Sequence, residues 1–340
     1  MQRGADYNGL TTLTLQFDPK AAFGWEGGQF NASVLQLHGE SFSTRNIGAL
    51  QVISGVEGDR ATRLWELWWD QKFGDHVDVK FGQQSLDVEF ANHPSAGYFV
   101  NSLFGWPAPF ATDMPGGGPA FPLSALGLRA RATSGPWTAL AGVFSGELAG
   151  DFRLGGWCDN HGFADLRYNA LGQQLANPAA AGAPFVHRGD FGLYAVAEQM
   201  VWRGVEKERT LSLFLRPILS PQRDRNLVAF SLNGGMALRD PLPGRKDDTF
   251  ALGFGRVEIG VGAVGFSADS AFYHPGVFKP KCDYEAALEA TYQFQATPWA
   301  QIQPNLQYIR NPGGGLADPL APNRKVGDAV LAGVRINLTF

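Results

Sequence analysis

Residues 283–310, DYEAALEATYQFQATPWAQIQPNLQYIR, alternate polar and apolar side chains on both sides of one short break. Asp283, Glu285, Glu289, Thr291, Gln293 and Gln295 occupy odd positions, and Tyr284, Ala286, Leu288, Ala290, Tyr292 and Phe294 the even ones. After the break, Gln301, Gln303, Asn305 and Gln307 oppose Ile302, Leu306 and Tyr308. A period of two is the geometry of a strand with unlike faces, and Thr-Pro in the break suits a tight hairpin turn. Such a strand must cover its apolar face, in a soluble protein with a second sheet or with helices.

Neither partner is evident along the chain. Helical periodicity is hard to find, whereas thirteen strand-like segments recur, from NGLTTLTLQF near the start to DAVLAGVRINLTF at the end. Many are about ten residues long, the length a tilted strand needs to cross hydrocarbon. Their connections alternate in kind: short ones such as GDH, SGP and ATP, and mostly longer ones at 38–61, 85–124, 146–188, 217–225, 261–282 and 311–327. That asymmetry predicts a transmembrane antiparallel β-barrel, an all-β domain spanning 1–340, with short periplasmic turns and long extracellular loops. Trp137, Trp202 and Trp299 abut short turns, Trp25 lies within one, and Phe17 and Phe73 end strands, which reads as an aromatic girdle. On this reading lipid covers the apolar face and lumen water the polar one, so Glu285 and Glu289 are expected to be solvated.

Composition narrows the function. Charged residues make up 18% of the chain and the net charge is −4, so neither a nucleic-acid partner nor a membrane-surface polycation is indicated. Six histidines and two cysteines show no metal spacing, so no metal or cofactor is expected. No nucleophile–base constellation stands out, and the chain is not read as an enzyme. Residues 1–20 lack a basic-then-apolar leader. The first and last strands would both run toward the periplasm, whereas single-chain barrels of this class have even strand counts. The expectation is therefore that Met1 is an internal start, preceded in the precursor by a signal peptide and one further strand.

Several long stretches carry a resemblance. YFVNSLFGWP…DMPGGGPAFPLSALGLR (98–129) and LEATYQFQATPWAQIQPNLQYIRNPGG (288–314) resemble the OprB-type carbohydrate-selective porins. So do ASVLQLHGESFSTRNIG (32–48), RLWELWWDQKF (63–73), LPGRKDD (242–248) and the C-terminal strand, whereas 150–188 shows no such likeness. The resemblance implies an outer-membrane barrel of about 16 strands that passes monosaccharides and similar small solutes by diffusion. It implies small sugars as the solute and outer-membrane lipid and lipopolysaccharide as surroundings. The barrel-assembly machinery would engage the C-terminal strand with its Phe340, and a homo-oligomer is left open.

By the same resemblance, loop 85–124 folds inward and narrows the pore, making Trp106, Phe110 and Asp113 candidate constriction residues; the alternative is an ordinary surface loop. In GLRARA, Arg129 and Arg131 share one face. On lipid each would cost about 2–4 kcal/mol at the midplane, so they are expected to point inward; the alternative is a rim position against lipid headgroups. In LWELWWD, Trp65, Leu67 and Trp69 are expected on lipid, and Glu66, Trp68 and Asp70 in the lumen. There an indole can pack on sugar C–H groups while carboxylates accept hydroxyl protons; alternatively Trp68 fills space by the wall. Gln303, Asn305 and Gln307, with Glu285 and Glu289, would line the approach from the opposing hairpin. MPGGGP (114–119) lacks the Lys-Ser/Thr of a phosphate cradle and reads as a turn. Cys158 and Cys282, both assigned to outward loops, could pair after export into an oxidising compartment, although the sequence gives no distance between them. Other functions stay open: a general or non-sugar diffusion porin, a barrel enzyme, or a plugged or adhesive barrel.

Overall fold

The structure, a computed structural model, describes residues 4–58, 60–90, 92–114, 117–135, 137–144, 147–152, 154–204 and 209–339. Expectations that fall on Met1, Phe340, the middle of MPGGGP, the turn at 205–208 and the Trp137 side chain lie outside these residues.

The alternating segments form one antiparallel sheet. Its strands are β1 (Asn8–Phe17), β2 (Gly28–Gly39), β3 (Ala61–Phe73), β4 (Val77–Gln84), β5 (Ala125–Ser134), β6 (Trp137–Phe144), β7 (Glu147–Phe152) and β8 (Leu154–Asn169). They continue as β9 (Pro184–Ala195), β10 (Ala197–Arg203), β11 (Thr210–Leu219), β12 (Val228–Arg239), β13 (Thr249–Ile259), β14 (Tyr284–Thr297) and β15 (Ala300–Arg310). After a two-stranded ribbon, β16 (Ala317–Asp318) and β17 (Ala321–Lys325), the sheet ends with β18 (Ala329–Leu338). Among the described residues β1 pairs with β2 and β18 with β15, and these two strands are the ends of the ladder.

The 283–310 hairpin forms in the expected register, with Leu288 opposite Tyr308 and Glu289 opposite Gln307. Outward positions such as Leu13, Leu15, Val330, Val334 and Ile336 are more than half exposed, as lipid-facing side chains of a barrel are. Trp25, Trp202, Trp299 and Phe73 are likewise exposed at the short-turn end. Among the described residues no helix is long and apolar enough to cross a membrane.

Among the described residues the sheet holds sixteen strands rather than thirteen. Segment 146–188, read as a loop, supplies β7, β8 and the start of β9, and the DFGLYAVAEQMVW run breaks at Val196 into β9 and β10. Gly150, Gly155, Gly156 and Gly162 interrupt the polar–apolar alternation there, although the backbone still pairs, Gly150 opposite Gly156. Connection 261–282 holds α4 (Val261–Tyr273), a helix whose sequence carries little periodicity. Shorter helices are α1 (Pro19–Phe23) in the first turn, and α2 (Ser102–Gly105) and α3 (Ala108–Asp113) within 85–124.

The last two lie on the inner side of the sheet. Leu103 and Phe104 of α2 pack with Phe99, Phe214, Ala237, Ala251 and Ile309 in one buried cluster. Two wall glycines make room for them. A Cβ on Gly255 would lie 1.9 Å from Leu103 Cδ2, and one on Gly253 2.5 Å from a ring carbon of Phe104.

Candidate pore constriction

A chain segment folded into a barrel brings its own amide and carbonyl groups, which cost free energy if buried without partners. The wall supplies those partners. Glu289 of β14 accepts from the backbone amides of Val100 at 2.8 Å and Asn101 at 3.0 Å. Arg216 of β11 donates to the carbonyls of Leu103 at 3.0 Å, Phe104 at 2.8 Å and Gly105 at 3.3 Å. Gln303 donates to Tyr98 O at 2.8 Å. Gln307 donates to Ile53 O at 2.7 Å and accepts from Asn101 Nδ2 at 2.9 Å. Glu285 collects the amides of Leu50, Gln51 and Gly313, at 2.8, 3.0 and 2.7 Å, and so ties two further connections to the same wall.

These contacts correct one expectation. Glu285, Glu289, Gln303 and Gln307 are not solvated pore residues: their exposures are 2%, 2%, 0% and 2%. Asn305, half-buried, accepts from Gln307 at 3.3 Å and steadies it. The polar face of the hairpin is rich in carboxylates and amides because inward-folded backbone, more than water, covers it.

The far end of the loop is held on β8–β12. Trp106 donates to Gly117 O at 2.9 Å and stacks obliquely on Phe110, with centroids 4.7 Å apart. Phe110 is buried against Trp157 and Tyr194. Asp113 accepts from Ser220 Oγ at 2.9 Å, Thr112 Oγ1 at 3.1 Å and Val228 N at 3.3 Å. Burial pushes its carboxyl up to about 7. Phe110 and Asp113 therefore act as anchors, and Trp106 alone of the three expected constriction residues stays half-exposed.

The β3–β5 strands carry a dense charged cluster, which Glu89 of the loop joins. Strand pairing sets Lys80 opposite Arg129 and Asp78 opposite Arg131. Arg129, 1% exposed, is ion-paired with Asp78, with Glu89 at 2.7 Å and with Asp70 at 3.5 Å. Arg131 meets Asp78 at 2.7 Å and keeps 38% of its side chain exposed. Lys80 pairs with Glu89 and lies 4.6 Å above the Trp68 ring. Trp68 donates to Glu66 at 3.2 Å, and Glu66 also accepts from Ser85 N at 3.3 Å. Below the cluster, a cavity of about 460 Å³ is lined in part by Gln16, Gln29, Asp70 and Lys72.

Glu66, Trp68, Asp70, Arg129 and Arg131 are thus brought together, but Arg129 faces carboxylates and only Arg131 is presented outward from the cluster. Asp78, Lys80 and Glu89 complete it without having been singled out from sequence. The alternation in VDVK could have found the first two; Glu89, on the irregular loop, carries no such signal. Three cations among four carboxylates give closely spaced donors and acceptors with little net charge, which suits a neutral polyhydroxy solute better than an ion. Both cysteines are free, and Cys158 lies on β8 rather than in an outward loop, so the expected pairing is not formed.

A family model described as carbohydrate-selective porin, OprB family, matches residues 2–147 and 145–340. Porin B of Pseudomonas aeruginosa is 25% identical over 386 residues, spanning 98% of this chain and 82% of that protein. The high-pH structure of Pseudomonas putida OprB superposes with a TM-score of 0.84 at 22% identity, over 98% of this chain and 88% of that one. The low-pH structure of the same protein gives 0.56 at 18% identity, over 98% and 86%.

Proposed function

The chain belongs to the carbohydrate-selective porin family, OprB, and from this membership and the docked loop we propose a route for its solute. It is an outer-membrane β-barrel porin for carbohydrates, in a family of channels rather than enzymes. Monosaccharide-sized neutral sugars diffuse past the docked loop and the β3–β5 cluster, along Trp106, Arg131 and Trp68. They leave along the cavity lined by Gln16, Gln29, Asp70 and Lys72.

The observation that carries this reading is the placement of the loop. Its backbone around α2 is committed to β11–β15, and its Glu89 joins the charged cluster on β3–β5. A sugar trades water for several weak hydrogen bonds at such a wall, and each must stay weak so that the solute leaves. Liposome swelling with neutral sugars of graded size tests it. Fast influx of monosaccharides, with a steep fall at larger sugars and slower influx of size-matched non-sugar solutes, is expected. Influx that depends on size alone would make the chain a general diffusion pore.

Outer-membrane lipid and lipopolysaccharide around the apolar band, and assembly-machinery engagement of the C-terminal strand, belong to the same proposal. So does a homo-oligomer, which crosslinking in intact outer membranes would reveal.

A further inference from the structure

Three side chains from three separate segments converge at the extracellular end of the sheet, away from the constriction. Asp165 lies near the end of β8, His187 near the start of β9, and Asp224 in the connection between β11 and β12. Asp165 Oδ2 is 2.8 Å from His187 Nε2, and Asp224 Oδ2 is 3.6 Å from the same nitrogen. The three ligand atoms all lie within 4.8 Å of one another.

We propose that Asp165, His187 and Asp224 form a binding site for a divalent first-row transition cation, of which Zn2+ is the natural probe. The spacing fits. Bonds of about 2.0–2.2 Å to a tetrahedral or octahedral ion place neighbouring ligand atoms about 3.0–3.5 Å apart. The donor set fits as well: imidazole nitrogen with carboxylate oxygen suits Zn2+ and its neighbours, whereas Ca2+ and Mg2+ favour all-oxygen cages. A single imidazole proton can serve one carboxylate at a time, but a divalent ion between the three groups serves both.

The surroundings hold these groups in place. Asp165 Oδ1 accepts the backbone amides of Arg167 at 2.8 Å and Tyr168 at 2.7 Å, which leaves Oδ2 to face the histidine. The imidazole packs edge-on against Phe185, with centroids 4.8 Å apart. The carbonyl of Asp224 accepts from Leu166 N at 2.9 Å, fastening its loop beside β8. Arg167 is drawn off by a two-point pair with Asp269 of α4, at 2.7 and 2.9 Å. Arg225 donates to both oxygens of Asp224, Oδ1 at 2.8 Å and Oδ2 at 3.2 Å, so the ion must compete with a guanidinium and affinity is moderated accordingly. A bound ion would clip the β8–β9 hairpin to the β11–β12 connection above the pore mouth.

Calorimetric titration of the full chain in detergent with Zn2+ tests the site. One saturable site is expected, weakened about 100-fold in His187→Ala and about tenfold or more in Asp165→Asn or Asp224→Asn. His161→Ala should bind as the unaltered protein does, because among the described residues His161 meets a single carboxylate, Asp159. Sugar influx should be unchanged in His187→Ala, which also shows that the variant folds; His187→Gln repeats the test if it does not. Absence of saturable binding to the unaltered protein, or undiminished binding after loss of the imidazole, overturns the proposal.

Discussion

Glu289 and Arg216 grip opposite ends of one helical turn. Glu289 takes the amides of Val100 and Asn101 just before α2, and Arg216 gives to the carbonyls of Leu103, Phe104 and Gly105 within it. Each charge also has the sign that the aligned peptide dipoles favour, negative at the amino end and positive at the carboxyl end.

Glu289→Ala removes two charge-assisted hydrogen bonds, each worth roughly 1.5–3 kcal/mol, and leaves two amides unpaired. The loop should detach while the barrel still folds, because backbone pairing and lipid-facing side chains hold the wall. Single-channel recordings should show higher, noisier conductance and weaker discrimination among sugars. The loss should be less than additive with Arg216→Ala, since both act on one turn. Unchanged conductance in Glu289→Ala would remove its anchoring role.

The two arginines of β5 should separate in their effects. Arg131→Ala exposes Asp78 to pore water, and reversal potentials should shift toward cation preference in a barrel that folds normally. Arg129→Ala leaves Asp70, Asp78 and Glu89 without their shared cation, and breaking a buried pair of this kind costs about 3–5 kcal/mol. That variant should assemble poorly as well as conduct differently. The double substitution should widen the pore and blunt sugar discrimination; equal behaviour of the two single variants would contradict the cluster's geometry.

How far could this site be read from sequence? Alternation in 283–310 was enough for the hairpin, because a period of two forbids one-residue slips and the short break fixes which of the remaining registers forms. That Asp70, Arg129 and Arg131 share the inward face of β3 and β5 was legible for the same reason. What covers the polar face was not, since alternation distinguishes polar from apolar and says nothing of whether water or backbone lies opposite. Glu285 and Glu289 read as solvated on that account. Strands β7 and β8 were hidden by glycines that pair without contributing a side-chain pattern. Asp165, His187 and Asp224 lie far apart in the chain, so metal-ligand spacing could not reveal their convergence.

Asp113 should make the loop sensitive to pH. Its carboxyl titrates at about 7 when folded, from burial, and near about 3.9 when unfolded. The folded protein therefore keeps this proton longer, and Asp113's contribution to stability falls as pH rises from about 4 to about 7. Conductance noise from loop opening should grow over that interval, and Asp113→Asn, which cannot ionise, should flatten the trend. A flat profile in the unaltered protein would show that the carboxyl does not govern docking.

Around α2 the wall holds the folded-in segment largely by its main chain: Glu289 accepts amides, and Arg216 and Gln303 donate to carbonyls, groups that nearly every residue possesses. These contacts read path rather than spelling, which matters only where Leu103, Phe104, Phe110 and Asp113 are seated in the wall. Side chains on the segment's free side can be exchanged without rewriting the barrel, so new solute preferences can arise by local substitution, much as a removable gasket is recut while its seat stays the same.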